Sequence, residues 1–126
     1  MAVNKLNIYK TNTKYAMYIG RWQPWHAGHR WLIDQQLNLG KNVWIAIRDV
    51  IPDENNPWSA EQVLDNIKEE LWPLFTSGRV IASIIPDIES VNYGRGVGYD
   101  VIEHKPPEEI KGISATNIRK QMKRNK

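Results

Sequence analysis

Two of the chain's three histidines, His26 and His29, stand three residues apart inside GRWQPWHAGH (residues 20–29), beside Trp22, Pro24, Trp25, Gly20 and Gly28. Once a helix has begun, side chains at that spacing lie on nearly one face. A helix start offers unpaired N–H groups and the positive end of its dipole. Two imidazoles over such a start suit a polyphosphate, donating hydrogen bonds to its oxygens. Gly20 and Gly28 let backbone come close to a ligand, and Pro24 stiffens the path. An ordinary turn with two incidental histidines is the plain alternative. A metal site is another, but no third ligand is evident, because His104 lies far along the chain. Trp22 and Trp25 suit either stacking on a ligand or burial.

A second stretch repeats the theme. In ISATNIR (residues 113–119), Ser114 is an expected N-cap, and Ser114, Thr116 and Arg119 put two hydroxyls and a guanidinium on the first turn of a helix. Hydroxyls and N–H groups there bind phosphate, and Arg119 adds a fork for two phosphate oxygens. Alone, this is an ordinary capped basic helix; two anion-ready helix starts in one chain carry more weight.

The elements that must position these residues follow from periodicity. Residues 1–14 read as an irregular lead-in, and the apolar run 15–19 as a strand buried on both faces. Trp31, Leu32, Gln35 and Leu39 then recur at helical spacing, with Gly40 as a stop, and residues 42–47 read as a second strand. Strand, helix, strand at this length is a parallel pair with a right-handed crossover. Residues 48–58 are a loop, Ser59 to Gln62 a capping box, and Val63, Leu64, Ile67 and Leu71 one helical stripe that Pro73 ends. Residues 79–85 are a third strand, 93–98 a glycine-rich turn, 99–102 a short fourth strand, and Pro106 and Pro107 a break before the last helix. Trp31 and Trp44 are expected in the core. The fold class is α/β: an open, mostly parallel, Rossmann-like sheet with helices on both faces, in one domain over 1–126. Ligands of such sheets bind beyond the carboxyl ends of the strands, at the first strand-to-helix turn. Here that turn is GRWQPWHAGH.

With 126 residues, 41% apolar and 25% charged, the chain has the composition of a soluble globular protein. Absence of cysteine excludes disulfides and thiolate zinc sites. No apolar run reaches membrane length and the N-terminus lacks a signal-type apolar segment, so a cytoplasmic location with no membrane partner is expected. Much of the net charge of +3 sits in Arg119, Lys120, Lys123, Arg124 and Lys126, which favours anionic ligands over nucleic acid.

GRWQPWHAGH resembles the HxGH signature of the nucleotidyltransferase superfamily, and ISATNIR its ISxTxxR signature. The chain is most similar to archaeal-type nicotinamide mononucleotide adenylyltransferases, which carry a GRFQPxHxGH turn, an NPF[ST]AxER-like stretch, an IPDI segment and a terminal SGTxIR. Here NPWSAEQ (56–62), IPDI (85–88) and ISATNIR follow the turn in the same order. The interval between IPDI and ISATNIR is shorter than in those adenylyltransferases, and the total length is close to that of the compact glycerol-3-phosphate cytidylyltransferases, which the chain also resembles at HxGH and at a GIST-type helix start. The resemblance implies in-line attack of a phosphorylated acceptor on the α-phosphorus of a nucleoside triphosphate, with pyrophosphate released and Mg²⁺ arriving with the nucleotide. It implies catalytic roles for His26, His29 and Arg119, and nucleotide contacts from Gly20, Arg21, Trp22, Gln23, Gly28, Ser114, Ala115 and Thr116. Lys14, before the first strand, is expected to reach the same phosphates. Arg48, Asp49, Trp58 and Arg95 are expected to face the acceptor, with burial the competing reading for Trp58. ATP with nicotinamide mononucleotide, CTP with a polyol or sugar phosphate, and a nucleotide-binding module without catalysis all remain open. A homo-oligomer is expected.

Overall fold

The computed structural model describes residues 9–96, 98–112 and 118–120. Its elements run β1 (Tyr15–Gly20), α1 (Ala27–Leu37), β2 (Asn42–Asp49), α2 (Ala60–Glu70), α3 (Trp72–Thr76), β3 (Val80–Pro86) and α4 (Glu108–Lys111). Residues 118–120 are helical. The strands form one open, wholly parallel sheet in the order β1-β2-β3. The chain is therefore α/β, as its alternating pattern predicts.

Register explains where the core sits. Successive strand residues point to opposite faces, so Tyr18, Ile45 and Ala82 share one face while Met17, Trp44 and Ile81 share the other. Val43, Ile45, Ile47, Val80 and Ala82 on the first face pack with Ile33 and Leu37 of α1 and Val63, Leu64, Ile67 and Leu71 of α2 in one cluster. Both long helices, α1 and α2, thus lie on one face; the last helix, expected to open at Ser114, falls largely outside the described residues. The strand order never reverses, and right-handed crossovers that step one way across a sheet all fall on the same side. On the other face, Trp44 donates from Nε1 to Ser83 Oγ at 2.7 Å, and Met17 is exposed.

Local sequence accounts for the helix boundaries. Ser59 and Gln62 form the expected capping box: Gln62 N donates to Ser59 Oγ and Ser59 N donates to Gln62 Oε1. Gly40 takes φ +77° just past α1, a conformation glycine adopts without penalty. The buried stripe of α1 is Ile33, Gln36 and Leu37; Trp31, Leu32 and Gln35 are half-buried and Leu39 is exposed, about one position away from the expected stripe. Trp31 and Trp44 are half-buried, not core; the buried tryptophan is Trp22. Pro73 does not end the helical region but opens α3, a position where its missing N–H costs nothing. The strand expected at 99–102 is absent: these residues pair with neither sheet edge, and Tyr99, Val101 and Ile102 are exposed.

All three strands end at one edge, with Gly20, Asp49 and Pro86, so the 20–29 turn, the loop after β2 and the segment after β3 gather there. No helix among the described residues is long and apolar enough to cross a membrane.

Truncating Ile45, fully buried between sheet and helices, to alanine should cost about 2–5 kcal/mol. Met17→Ala, on the open face, should cost less than about 1 kcal/mol. Urea unfolding of the two variants checks the contrast.

Candidate functional site

The turn between β1 and α1 is built from its own side chains. His26 is the N-cap of α1, in extended conformation, and its carbonyl accepts the first helical hydrogen bond from Arg30 N at 3.1 Å. Its imidazole folds back so that Nδ1 accepts from Gly28 N at 3.0 Å. In return, His26 N donates to His29 Nδ1 at 3.3 Å. This is a reciprocal capping box made with two imidazoles in place of the usual hydroxyl and amide. The two rings stack with centroids 3.6 Å apart and planes 22° apart.

Glycine is required at position 28 by that geometry. A Cβ there would lie 2.8 Å from His26 Cε1, inside any real contact. Likewise a Cβ on Gly20 would lie 2.8 Å from Trp22 Cε2. Both glycines therefore make room for a neighbouring side chain, where sequence alone suggested room for a ligand. Trp22, at φ +55°, turns inward, is buried, and donates from Nε1 to Ala46 O at 3.1 Å. His29 is enclosed by aromatic rings: Trp22 meets it edge-on at 4.8 Å and Trp25 at 5.3 Å.

Electrostatics follow from this packing. Burial, reinforced by the neighbouring His26, pulls the His29 pKa down to about 3, and burial also lowers that of His26. Both rings are neutral at pH 7. A neutral imidazole has one donor and one acceptor nitrogen. Since each Nδ1 accepts a backbone N–H, each Nε2 carries the proton. Neither Nε2 has a hydrogen-bond partner among the described residues, and no buried side-chain nitrogen or oxygen there lacks one. The two Nε2–H groups are thus donors open to solvent, on stacked rings at a helix start.

Other predicted residues fall into place around them. Gln23 is buried, and its side-chain amide clamps the backbone of Trp58, donating from Nε2 to Trp58 O at 2.9 Å and accepting from Trp58 N at 3.0 Å. This joins GRWQPWHAGH to NPWSAEQ and gives Gln23 a positioning role. Arg119, 96 residues away, donates from Nη1 to the backbone carbonyl of Gln23. Arg119, the last residue of the ISATNIR stretch, therefore reaches the 20–29 turn. Ser114, Ala115 and Thr116 lie outside the described residues. Arg21 is exposed, and its charge reaches Asp53, whose carboxyl is held below the usual range chiefly by the backbone N–H of Asn56, with help from Asn55 and Arg21.

Lys14, Arg48, Asp49 and Arg95 make no hydrogen bond to the turn among the described residues. Lys14 precedes β1 and so sits at the opposite edge of the sheet, about 20 Å along the strand from Gly20. It does not reach the turn. Arg48 is tied up at the end of β2, with Nη2 at 2.6 Å and Nε at 2.7 Å from Asp87 Oδ1 in the IPDI segment. Asp49 and Arg95 are exposed, with no hydrogen bond or ion pair to the turn among the described residues. Trp25, which by sequence suits either stacking on a ligand or burial, is half-buried and packs on His29, four residues on, a spacing that brings side chains into contact across a helix start. No group of three or more His, Cys, Asp or Glu among the described residues forms a metal cage.

The depressed His29 pKa carries a stability consequence. The unfolded chain takes up a proton near pH 6.5, while the folded one refuses it until about pH 3. Stability is full above pH 6.5 and is lost as pH falls through that window, by at most about 1.4 kcal/mol per pH unit for this group. Unfolding free energies at pH 7.5 and 5.5, above the carboxylate range, should show the loss, and His29→Asn should flatten it. An equal slope in both proteins contradicts the assignment. Gly28→Ala should lower stability and expel the His26 ring from its cap, seen as a changed His26 imidazole resonance.

Comparison with known proteins finds no family model and no curated protein that matches this chain.

Proposed function

We propose that the protein is a nucleotidyltransferase of Rossmann-like fold. It moves a nucleoside monophosphate, AMP from ATP, onto a phosphorylated small acceptor of the nicotinamide mononucleotide kind, releasing pyrophosphate. One observation carries the reading: two neutral imidazoles, capped by backbone through Nδ1, present free Nε2–H donors at the start of α1, where Arg119 also arrives. That constellation has the chemistry of a polyphosphate cradle.

The reaction needs no nucleophilic side chain. An oxygen of the acceptor phosphate attacks the α-phosphorus in line, and the bond from that phosphorus to its bridging oxygen breaks as pyrophosphate leaves with the electron pair. Catalysis then rests on positioning and on donors aimed at developing charge. The Nε2–H groups of His26 and His29 supply such donors without changing protonation state, since both rings stay neutral through the physiological range. Their backbone caps fix ring orientation before substrate arrives, so little reorganisation is left to the reaction. The guanidinium of Arg119 supports the leaving pyrophosphate. Mg²⁺ enters as part of the metal–nucleotide substrate, held by phosphate oxygens and water.

The direct test is pyrophosphate release across ATP, CTP, GTP and UTP, each with nicotinamide mononucleotide or glycerol 3-phosphate. Release with ATP and the mononucleotide is expected; release only with CTP and the polyol phosphate would move the protein to the cytidylyltransferase class. His29→Ala should lower kcat about a hundred- to a thousandfold. His29→Asn, which retains an acceptor for the His26 cap, separates that loss from simple unfolding of the turn. Arg119→Ala should weaken triphosphate binding and turnover together; unchanged kinetics would remove it from the site.

A further inference from the structure

The loop between β2 and α2, residues 50–59, contains neither helix nor strand, and within 51–57 only Asn56 is buried. Surface loops of that kind are ordinarily the most mobile part of a fold. Yet this one delivers Trp58, whose backbone N–H and carbonyl are both taken by the buried side-chain amide of Gln23. A mobile loop would lose both bonds.

What holds the loop is one carboxylate oxygen. Asp53 Oδ1 accepts from Asn55 N and Asn56 N at 2.8 Å each and from Asn56 Nδ2 at 3.3 Å. In return, Asp53 N donates to Asn56 O at 2.9 Å. These bonds knot residues 53–56. Aspartate suits the task, because its short side chain reaches backbone a few residues on and an ionised acceptor makes the stronger bond. The charge of Arg21, in the 20–29 turn, favours that ionised form.

We infer that Asp53 is a positioning residue for the histidine pair, acting through Asn56, Trp58 and Gln23, an assignment that rests on the transferase reading above. The route is short. The knot ends at Asn56, two residues before Trp58, so it fixes the direction from which the Trp58 peptide groups arrive. Without those groups the Gln23 amide would be buried and unpaired, a costly state that the turn relieves only by moving. Gln23 lies three residues before His26 in the same turn, so its movement carries to the two rings. The donors on those rings act on charge that develops during the reaction, so loss of the knot falls on kcat more than on KM.

The test compares Asp53→Ala, which removes the acceptor, with Asp53→Asn, whose Oδ1 accepts the same backbone N–H groups. Nitrogen-15 spectra of the full chain read the Gln23 side-chain amide and the ring nitrogens of His26 and His29, and melting curves confirm folding. Asp53→Ala should shift both sets of signals and lower kcat for pyrophosphate release at least fivefold, with KM changed by less than about twofold. Asp53→Asn should restore both. Should Asp53→Ala fail to fold, Asp53→Glu takes its place, since it keeps the charge but carries the acceptor away from the knot. Unshifted Gln23 and histidine signals in the folded variant overturn the assignment, and so do shifted signals with unchanged kcat. An Asp53→Asn protein that behaves like Asp53→Ala overturns it too, because charge rather than the knot would then be at work. Should the unaltered protein release pyrophosphate from no triphosphate, the transferase reading falls, and the spectra alone decide whether Asp53 sets the turn.

Discussion

The start of α1 depends on one exchange of hydrogen bonds: Gly28 N to His26 Nδ1, and His26 N to His29 Nδ1. Helix starts leave backbone N–H groups without partners, and most proteins satisfy them with a hydroxyl or a carboxylate. Here imidazoles do it. The choice fixes the tautomer of both rings, aligns them, and leaves each with a proton on the outer nitrogen. One local solution to a general problem of helix ends thereby produces a pair of fixed neutral donors. Burial holds both pKa values low, reinforced at His29 by the neighbouring His26, so the pair remains neutral where a surface histidine would begin to charge.

The rest of the fold serves this exchange. Parallel strands bring their carboxyl ends to one edge, and the right-handed crossover carries α1 back over the sheet so that its amino end faces that edge. Trp22 anchors the turn to β2 through Ala46 O, and Gln23 anchors it to the loop before α2. Ile110 of α4 approaches the site from a third side, near Gly28. Arg119 follows at Gln23. The turn is thus braced by elements drawn from most of the chain's length.

Much of this was legible in the sequence, and the misses share a cause. The strand and helix alternation, the Ser59 capping box and the stripe of α2 depend on local spacing, which a linear pattern displays. The contact of Arg119 with Gln23 O, across 96 residues, was not legible, because spacing shows nothing of so distant a pair. What spacing hides is which way a side chain folds. Gly20 and Gly28 read as space for a ligand because nothing in the string shows Trp22 and His26 turning back over them. Trp31 and Trp44 read as core because tryptophan is large and apolar, yet the buried one is Trp22, drawn inward by its positive φ and its bond to Ala46 O. Lys14 read as a phosphate ligand because it is close in sequence to the turn; a strand converts six residues of closeness into opposite edges of a sheet. Arg48 read as an acceptor contact because its partner, Asp87, lies 39 residues away.

The central claim is that His26 and His29 are Nε2–H donors to a polyphosphate. Nitrogen-15 spectra of histidine-labelled protein at pH 7, before and after addition of ATP with Mg²⁺, test it most directly. The account predicts both rings neutral with the proton on Nε2, and both Nε2–H signals shifting on addition while each Nδ1 stays unprotonated. An imidazolium, a proton on Nδ1, or Nε2–H signals that ignore the nucleotide would contradict it.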